Sequence, residues 1–162
     1  MENENSALIS RRSFLHLAYA TLGSIAFLES GLILFQYLQP RLGEGEFGTR
    51  IKAGLVGDFP PNSVTYISNG RFYLVRLADG GFLALYQRCT HLGCTVTWEP
   101  KENRFVCPCH SSQFDQQGNV ENPPATHALD RFDVEIANGE VWVDTAKPLP
   151  RQSFDLSQVT YP

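Results

Sequence analysis

Two short segments contain all four cysteines of the 162-residue chain and two of its four histidines. The first is CTHLGC, from Cys89 to Cys94, and the second is CPCH, from Cys107 to His110. Thiolates and imidazoles are strong ligands of transition metals. A fold that uses both segments at one metal site must bring two loops together, and this requirement constrains the rest of the chain.

Three kinds of site use these groups to different extents. A structural zinc site takes four ligands, commonly from Cys-x₂₋₄-Cys pairs. The spacing in the first segment is acceptable, but the single residue between the two cysteines of the second is a poor fit. A pure disulfide framework uses the four sulfurs and leaves both histidines unexplained. A [2Fe–2S] cluster with mixed ligands uses thiolates on one iron and imidazoles on the other. Its ligands would be Cys89, His91, Cys107 and His110.

The N-terminal part of the chain has a different character. The run from Leu17 to Leu38 carries a single charge, Glu29. Its length corresponds to about 33 Å of α-helix, enough to cross the hydrocarbon core of a bilayer. We therefore predict a transmembrane anchor over 14–38, preceded by a cytoplasmic N-terminus over 1–13. The alternative is a buried helix of a soluble protein.

An arginine pair precedes the apolar run and indicates its orientation. Arg11 and Arg12 lie in SRRSFL, which resembles a twin-arginine export signal. Positive residues stay on the cytoplasmic side, so the C-terminal domain is expected on the periplasmic or extracytoplasmic side. A lone carboxylate inside a membrane is costly and usually faces a protein partner. Glu29 therefore suggests that this helix packs against other membrane subunits.

The remainder is predicted to be a tether followed by a β domain. Residues 39–50 contain three glycines and no apolar periodicity, which predicts a flexible tether, with a loop packed on the domain as the alternative. From residue 51 to 162, short runs rich in Val, Ile, Phe, Tyr and Thr alternate with SNG, ADGG, PKEN and ANGE, which predict turns. We expect an all-β domain, an antiparallel sandwich or small barrel, with no helix after residue 50.

The charge of the chain excludes one class of partner. Its net charge is −4 and it contains no basic run. Nucleic-acid binding, which depends on a positive surface, therefore has no electrostatic support.

Together, these features resemble a known family. CTHLGC and CPCHSSQF are similar to the two cluster-binding boxes of Rieske iron–sulfur proteins. VENPPATHALDRFDVEI is similar to the proline loop of the family and the strand after it, with Pro123 and Pro124 matching. The anchor, tether and β domain extend the resemblance over nearly the whole chain. The chain most resembles the Rieske subunit of bacterial cytochrome bc-type quinol oxidoreductases.

The resemblance implies a cofactor, a ligand set and a set of partners. The cofactor is a Rieske-type [2Fe–2S] cluster, which accepts one electron from quinol and delivers it to a c-type haem or a copper carrier. A cytochrome b-type membrane subunit completes the quinol site. His110 is the ligand expected to meet the quinol, and Leu92 is expected to cover the cluster edge. The residues assigned by the resemblance are the ligands Cys89, His91, Cys107 and His110, the disulfide pair Cys94 and Cys109, and Ser112, which donates a hydrogen bond to a sulfur.

Three positions depart from the pattern that many family members share. Ser111 stands where many have glycine, and so does Asn122. Phe114 stands where many have a tyrosine that donates a hydrogen bond to a cysteine sulfur. The last departure leads us to expect a lower reduction potential and a donor such as menaquinol.

Two other Rieske-containing classes remain as alternatives. The small subunit of a molybdenum oxidase such as arsenite oxidase often has Phe at the position of Phe114. The electron-entry domain of a Rieske oxygenase is cytosolic and usually lacks the second cysteine pair. The anchor and the tether favour the quinol oxidoreductase over the molybdenum oxidase, and Cys94, Cys109 and the anchor argue against the oxygenase.

Overall fold

The computed structural model describes residues 10–39, 45 and 47–162. Two compact units emerge, one helical and one built of strands, and each is described by itself. The predicted cytoplasmic segment 1–9 and the tether positions 40–44 and 46 lie outside the described residues.

The helical unit is one α-helix, α1, from Arg11 to Leu38. Ser10 caps it, since its side chain accepts a hydrogen bond from the backbone N–H of Ser13 at 3.2 Å. Helix α1 is long and apolar enough to cross a membrane, and none of its side chains is buried within the unit. This apolar surface supports single-pass anchoring, as the sequence predicts. The helix begins three residues before the predicted span, because the polar residues after the cap continue it.

The second unit consists of two antiparallel sheets, which confirms the predicted all-β class. The six-stranded sheet has the order β1-β10-β9-β4-β3-β2, and the four-stranded sheet has the order β5-β6-β7-β8. The only helical pieces described after residue 50 are two short 3₁₀ turns, Val56–Asp58 and Leu156–Gln158. The strands are β1 Arg50–Leu55, β2 Ser63–Ile67, β3 Phe72–Arg76, β4 Phe82–Tyr86, β5 Thr97–Glu99, β6 Arg104–Val106, β7 Gln113–Phe114, β8 Val120–Asn122, β9 Arg131–Ala137 and β10 Glu140–Leu149.

The predicted turns join the strands that the sequence places on either side of them. SNG connects β2 to β3, ADGG connects β3 to β4, PKEN connects β5 to β6, and ANGE connects β9 to β10. Each of these four strand pairs is antiparallel. Local turn chemistry therefore determines much of the register, because a short hairpin loop fixes which residues face each other.

Strands β3 and β4 are buried on both faces. Tyr73 and Leu85 point into an intersheet core that also contains Phe105 and Phe114 from the smaller sheet. The alternate residues of β3 and β4 point into a single-sheet core on the opposite face, and they are Phe72, Leu74, Phe82 and Ala84. A strand covered on both faces is apolar throughout, which explains the unbroken runs FYLV and FLAL.

The end of the predicted tether packs on the β domain. Phe47 stacks on Tyr86 with 5.7 Å between ring centroids, and the guanidinium of Arg71 lies 4.9 Å from the Phe47 ring centroid. The backbone N–H of Gly48 donates to Thr145 Oγ1 at 2.9 Å. The carbonyl of Gly45 also accepts a hydrogen bond from Asn69 Nδ2 at 2.9 Å. The alternative of a packed loop therefore holds for Gly45 and 47–50, and the tether stays a prediction for the rest of 39–50.

A buried arginine fastens the C-terminal segment beneath the smaller sheet. Arg151 Nε donates to the Leu129 carbonyl at 2.7 Å, Nη1 donates to Gln158 Oε1 at 2.8 Å, and Nη2 donates to the Gln117 carbonyl. Burial lowers the pKa of Arg151 to about 10, which leaves the side chain protonated at neutral pH. Its three bonds hold the chain that leads into β8 and β9.

We expect Arg151→Met to lower the free energy of unfolding by about 3 kcal/mol, because the buried carbonyl of Leu129 and the part-buried carbonyl of Gln117 lose their donor. Each unsatisfied buried group costs about 1–3 kcal/mol. Denaturant unfolding of the full chain in detergent measures the change. The matched control is Lys147→Met at an exposed position, which should stay within about 0.5 kcal/mol of the parent. Equal stability of the two variants would contradict this role for Arg151.

Candidate metal centre

The two cysteine-containing segments are loops at adjacent strand ends. Loop 1 is the connection 87–96 between β4 and β5, and loop 2 is the connection 107–112 between β6 and β7. Buried Tyr73 supports loop 1, since its hydroxyl donates to the Val96 carbonyl at 3.0 Å. Burial raises the pKa of Tyr73, so this donor keeps its proton.

The two loops repeat one backbone conformation. In loop 1, the Cys89 N–H donates to the Cys94 carbonyl at 2.7 Å, and the Gly93 N–H donates to the Cys89 carbonyl at 2.9 Å. In loop 2, the Cys107 N–H donates to the Ser112 carbonyl at 2.8 Å, and the Ser111 N–H donates to the Cys107 carbonyl at 3.0 Å. Cys89 and Cys107 therefore occupy equivalent positions, each at the start of the same hydrogen-bonded turn.

The predicted sulfur ligands lie together in the apolar interior. Cys89 and Cys107 are 3% and 2% exposed and belong to the intersheet core. They lie close enough for Cys107 to raise the pKa of Cys89. Both are free thiols, so the disulfide-only interpretation is wrong.

The two histidines of these segments meet at the surface beside the thiols. The rings of His91 and His110 have centroids 4.9 Å apart and planes at 87°. His91 is half-buried and His110 is exposed. The four predicted ligands therefore form one site, with its sulfur side buried and its imidazole side accessible.

The disulfide expected between Cys94 and Cys109 is present and joins the two loops. The S–S distance is 2.07 Å and the Cα atoms are 6.6 Å apart. The Cys107 sulfur lies within 4.8 Å of both disulfide sulfurs. These three sulfurs are not a metal-binding set, because a disulfide has no thiolate to offer. A four-cysteine zinc site is excluded for the same reason.

Some groups around Cys89 raise the pKa of its thiol, and others lower it. Burial raises the pKa of Cys89, whereas the backbone N–H of His91 lowers it. Cys107 raises this pKa further, and the hydroxyl of Ser112 lowers it. Because metal ligation requires the thiolate, the two donors are in place to stabilise the sulfur once a metal has displaced the proton.

The neighbouring residues separate into buried supports and an exposed edge. Ser112 is fully buried, and its Oγ also accepts a hydrogen bond from the Ala125 N–H at 3.1 Å. Phe114 is fully buried in the intersheet core with both ligand cysteines. Leu92 is 70% exposed, beside His91. No packing within this chain therefore supports the expected role of Leu92 in covering the cluster edge. A contact between Leu92 and a partner protein is left as a proposal.

Several contacts at the site were not predicted from the sequence. Thr90 Oγ1 donates to the His127 carbonyl at 2.6 Å, and a cavity of about 450 Å³ lies beside these residues and loop 1. Asn122 Nδ2 donates to the Ser111 carbonyl at 3.0 Å. The two residues of each pair lie far apart in sequence, so their pairing could not be predicted. The polar side chains in HSS and ENPP did indicate that hydrogen bonds could form there.

One loop position is strained by its residue type. Gly93 has φ of 83°, and Ser111, its equivalent in loop 2, has φ of 61°. The left-handed region costs a residue with Cβ roughly 1–2 kcal/mol but costs glycine nothing. Ser111 therefore destabilises loop 2 relative to the glycine that stands there in many related sequences.

We expect Ser111→Gly to raise the free energy of unfolding by about 0.5–1 kcal/mol, since relief of the left-handed strain exceeds the extra backbone entropy of an unfolded glycine. Ser111→Ala is the control, because it keeps the Cβ and should bring no gain. Denaturant unfolding of the full chain in detergent compares the two. A Ser111→Gly variant less stable than the parent would contradict the interpretation.

Comparison with known proteins places this site in a family of iron–sulfur subunits. The chain is 39% identical over 75 residues to a cytochrome b6-f complex iron-sulfur subunit 2 of Trichormus variabilis, covering 45% of this chain and 42% of the relative. It is 30% identical over 158 residues to the cytochrome b6-f complex iron-sulfur subunit of Synechococcus sp. strain WH7803, covering 85% and 88%. It is 41% identical over 73 residues to the menaquinol:cytochrome c reductase iron-sulfur subunit of Geobacillus thermodenitrificans, covering 43% of each. The match thus spans less than half of the first and third relatives.

A solved structure shares the fold, and a family model covers the site. Naphthalene 1,2-dioxygenase with bound indole shares the fold at a TM-score of 0.51 and 17% identity, over 63% of this chain and 27% of that one. The model of the Rieske [2Fe-2S] domain matches residues 50–133, which include both loops and all four ligand candidates. Two buried thiols beside two adjacent imidazoles fit the mixed ligands of its cofactor, a [2Fe–2S] cluster. The chain therefore belongs to the Rieske [2Fe–2S] family.

Proposed function

We propose that this chain is the one-electron carrier subunit of a membrane-bound quinol oxidoreductase. It takes an electron from quinol, with the proton going to His110, and passes the electron to a c-type haem or a copper carrier. The arrangement of the four ligand candidates carries this proposal, because it combines a buried sulfur pair with an exposed imidazole. The relatives from cytochrome b6-f and menaquinol:cytochrome c reductase complexes support it.

The cysteines and the histidines have different roles in the proposed ligand set. Cys89 and Cys107 would hold one iron, and His91 and His110 would hold the other. A [2Fe–2S] cluster in this setting supplies a one-electron acceptor with a potential of about −150 to +300 mV, because neutral imidazoles replace two thiolates. His110 is exposed, and its outer ring nitrogen would become an acceptor once it has lost the hydrogen that a neutral, ligated imidazole carries there, a loss that an oxidised cluster favours. In that state it could accept a hydrogen bond and then a proton from a quinol hydroxyl.

Helix α1 supplies the proposed location. Its length and apolar surface suit a single membrane crossing. Arg11 and Arg12 at its start favour a cytoplasmic N-terminus, which puts the β domain on the periplasmic or extracytoplasmic side. An oxidising compartment on that side is consistent with the Cys94–Cys109 disulfide. A cytochrome b-type subunit is the proposed membrane partner, and Glu29 is the residue of the helix proposed to face it.

The buried side chain of Phe114 supports a lower-potential quinol, such as menaquinol. A phenylalanine cannot donate a hydrogen bond to a cysteine sulfur, so the reduced cluster loses one stabilising contact. The same residue favours the second candidate function, the small Rieske subunit of a molybdenum oxidase such as arsenite oxidase. Purification of the membrane complex and identification of its subunits decides between a cytochrome b partner and a molybdenum subunit.

The ligand assignment predicts a defined metal content. The purified full chain should contain about two irons and two labile sulfides, and its reduced form should give the low average g-value of mixed Cys/His ligation. His91→Cys and His110→Cys should each lose this electron paramagnetic resonance signal, because a third thiolate replaces one of the two imidazoles from which the signal arises. His16→Cys outside the β domain is the control. A protein with one bound zinc and no iron would overturn the assignment.

The missing hydrogen bond predicts a shift in reduction potential. Phe114→Tyr should raise the midpoint potential by about 40 mV, since one bond to a charged sulfur is worth about 1 kcal/mol and 59 mV corresponds to a tenfold change for one electron. Ser112→Ala should lower the potential. Phe132→Tyr adds a buried hydroxyl in the single-sheet core and should leave the potential unchanged. Redox titration measures all three, and an unchanged potential in Phe114→Tyr would remove the support for menaquinol.

A further inference from the structure

The peptide groups on both sides of Ser111 are held by hydrogen bonds. Its N–H donates to the Cys107 carbonyl at 3.0 Å, and its carbonyl accepts from Asn122 Nδ2 at 3.0 Å. The torsions φ and ψ of Ser111 lie between these two groups, and its φ of 61° is in the left-handed region. The two bonds together therefore fix the one backbone angle in loop 2 that its residue type disfavours.

The equivalent position in loop 1 has no need of such a clamp. Gly93 makes the same N–H bond to the first cysteine of its loop at 2.9 Å. It reaches a φ of 83° without steric cost, because glycine has no Cβ. The contrast isolates what is particular to loop 2: a serine in the left-handed region and an asparagine that holds its carbonyl.

Two hydrogen bonds hold the side chain of Asn122 in one position. Its Nδ2 donates to the Ser111 carbonyl at 3.0 Å and to the Pro123 carbonyl at 3.1 Å, which uses both amide hydrogens. Three residues later, the Ala125 N–H donates to Ser112 Oγ at 3.1 Å. Segment 122–125 thus forms hydrogen bonds with Ser111 and Ser112, the two residues of loop 2 that follow His110.

We propose that Asn122 is a positioning residue for His110. By holding the Ser111 carbonyl, it keeps loop 2 in the left-handed turn that sets the direction of the preceding imidazole. The proposal rests on the ligand role of His110 proposed above. It assigns to the end of β8 a part in cluster geometry, although Asn122 itself contacts neither thiol nor imidazole among the described hydrogen bonds.

The test is a double-mutant cycle on the full chain, loaded with its cluster, in detergent. Asn122→Ala should release iron to a chelator about five-fold faster than the parent, the factor that corresponds to one ordinary hydrogen bond. In the Ser111→Gly background the same substitution should change the rate by less than about two-fold, because glycine holds the left-handed turn unaided. Asn69→Ala is the matched control, since Asn69 Nδ2 also donates to a backbone carbonyl, that of Gly45, at 2.9 Å.

A spectroscopic measurement separates positioning from general stability. The electron paramagnetic resonance lines of reduced Asn122→Ala should broaden, because the imidazole of His110 adopts a spread of orientations, and Ser111→Gly should restore the parent width. If Asn122→Ala assembles no cluster, assembly restored by Ser111→Gly supports the proposal, and assembly in neither background overturns it. Equal rate factors in both backgrounds, unchanged lines, or an effect no larger than that of Asn69→Ala also overturn it.

The outcome is independent of the electron donor. If quinol fails to reduce the parent protein while the coupling between positions 111 and 122 is present, the proposed function fails and the positioning role stands. If His110→Cys retains the parent signal, the ligand assignment fails first.

Discussion

The burial of two thiols in an apolar core shared by two sheets is the constraint on which the site depends. Cys89 and Cys107 pack among residues of β3, β4, β6 and β7, so neither sheet alone encloses them. A buried thiolate without compensating charge or donors is unfavourable. The site between the sheets must therefore contain a cation that compensates the thiolates. The same requirement explains why donors such as Ser112 and the His91 N–H lie beside the Cys89 sulfur.

The same arrangement gives the site a direction. The thiols face the interior, and the imidazole of His110 faces the surface. A group whose charge changes during a reaction is best placed where a partner can reach its proton, whereas a permanently ligated sulfur is best kept from water. In this protein the difference in exposure follows from chain position, because each cysteine lies within three residues of the preceding strand and each histidine lies two or three residues further along.

Local patterns were sufficient for the elements but not for their long-range contacts. The turns SNG, ADGG, PKEN and ANGE predicted four hairpins, because a hairpin is determined by residues adjacent in sequence. The cysteine and histidine segments predicted one shared site, and the family resemblance supplied the pairing of Cys94 with Cys109. Burial of β3 and β4 on both faces was not predicted, nor was the bond from Tyr73 to Val96, because both depend on a second sheet that is distant in sequence. The packing of Phe47 follows the alternative of a packed loop and not the favoured flexible tether, which the glycines on either side of it had suggested.

The Cys94–Cys109 bond also closes a covalent ring that includes two of the four strands of the smaller sheet. Its sequence separation is 15 residues, and the ring contains both β5 and β6 with their connecting turn. That turn, 100–103, is exposed, which makes it accessible to proteases. A single cut there opens the ring without dividing the protein into two molecules, because the disulfide still joins the halves. The chain can therefore be nicked beside its metal site and keep both ligand-bearing loops until a reductant reaches the disulfide.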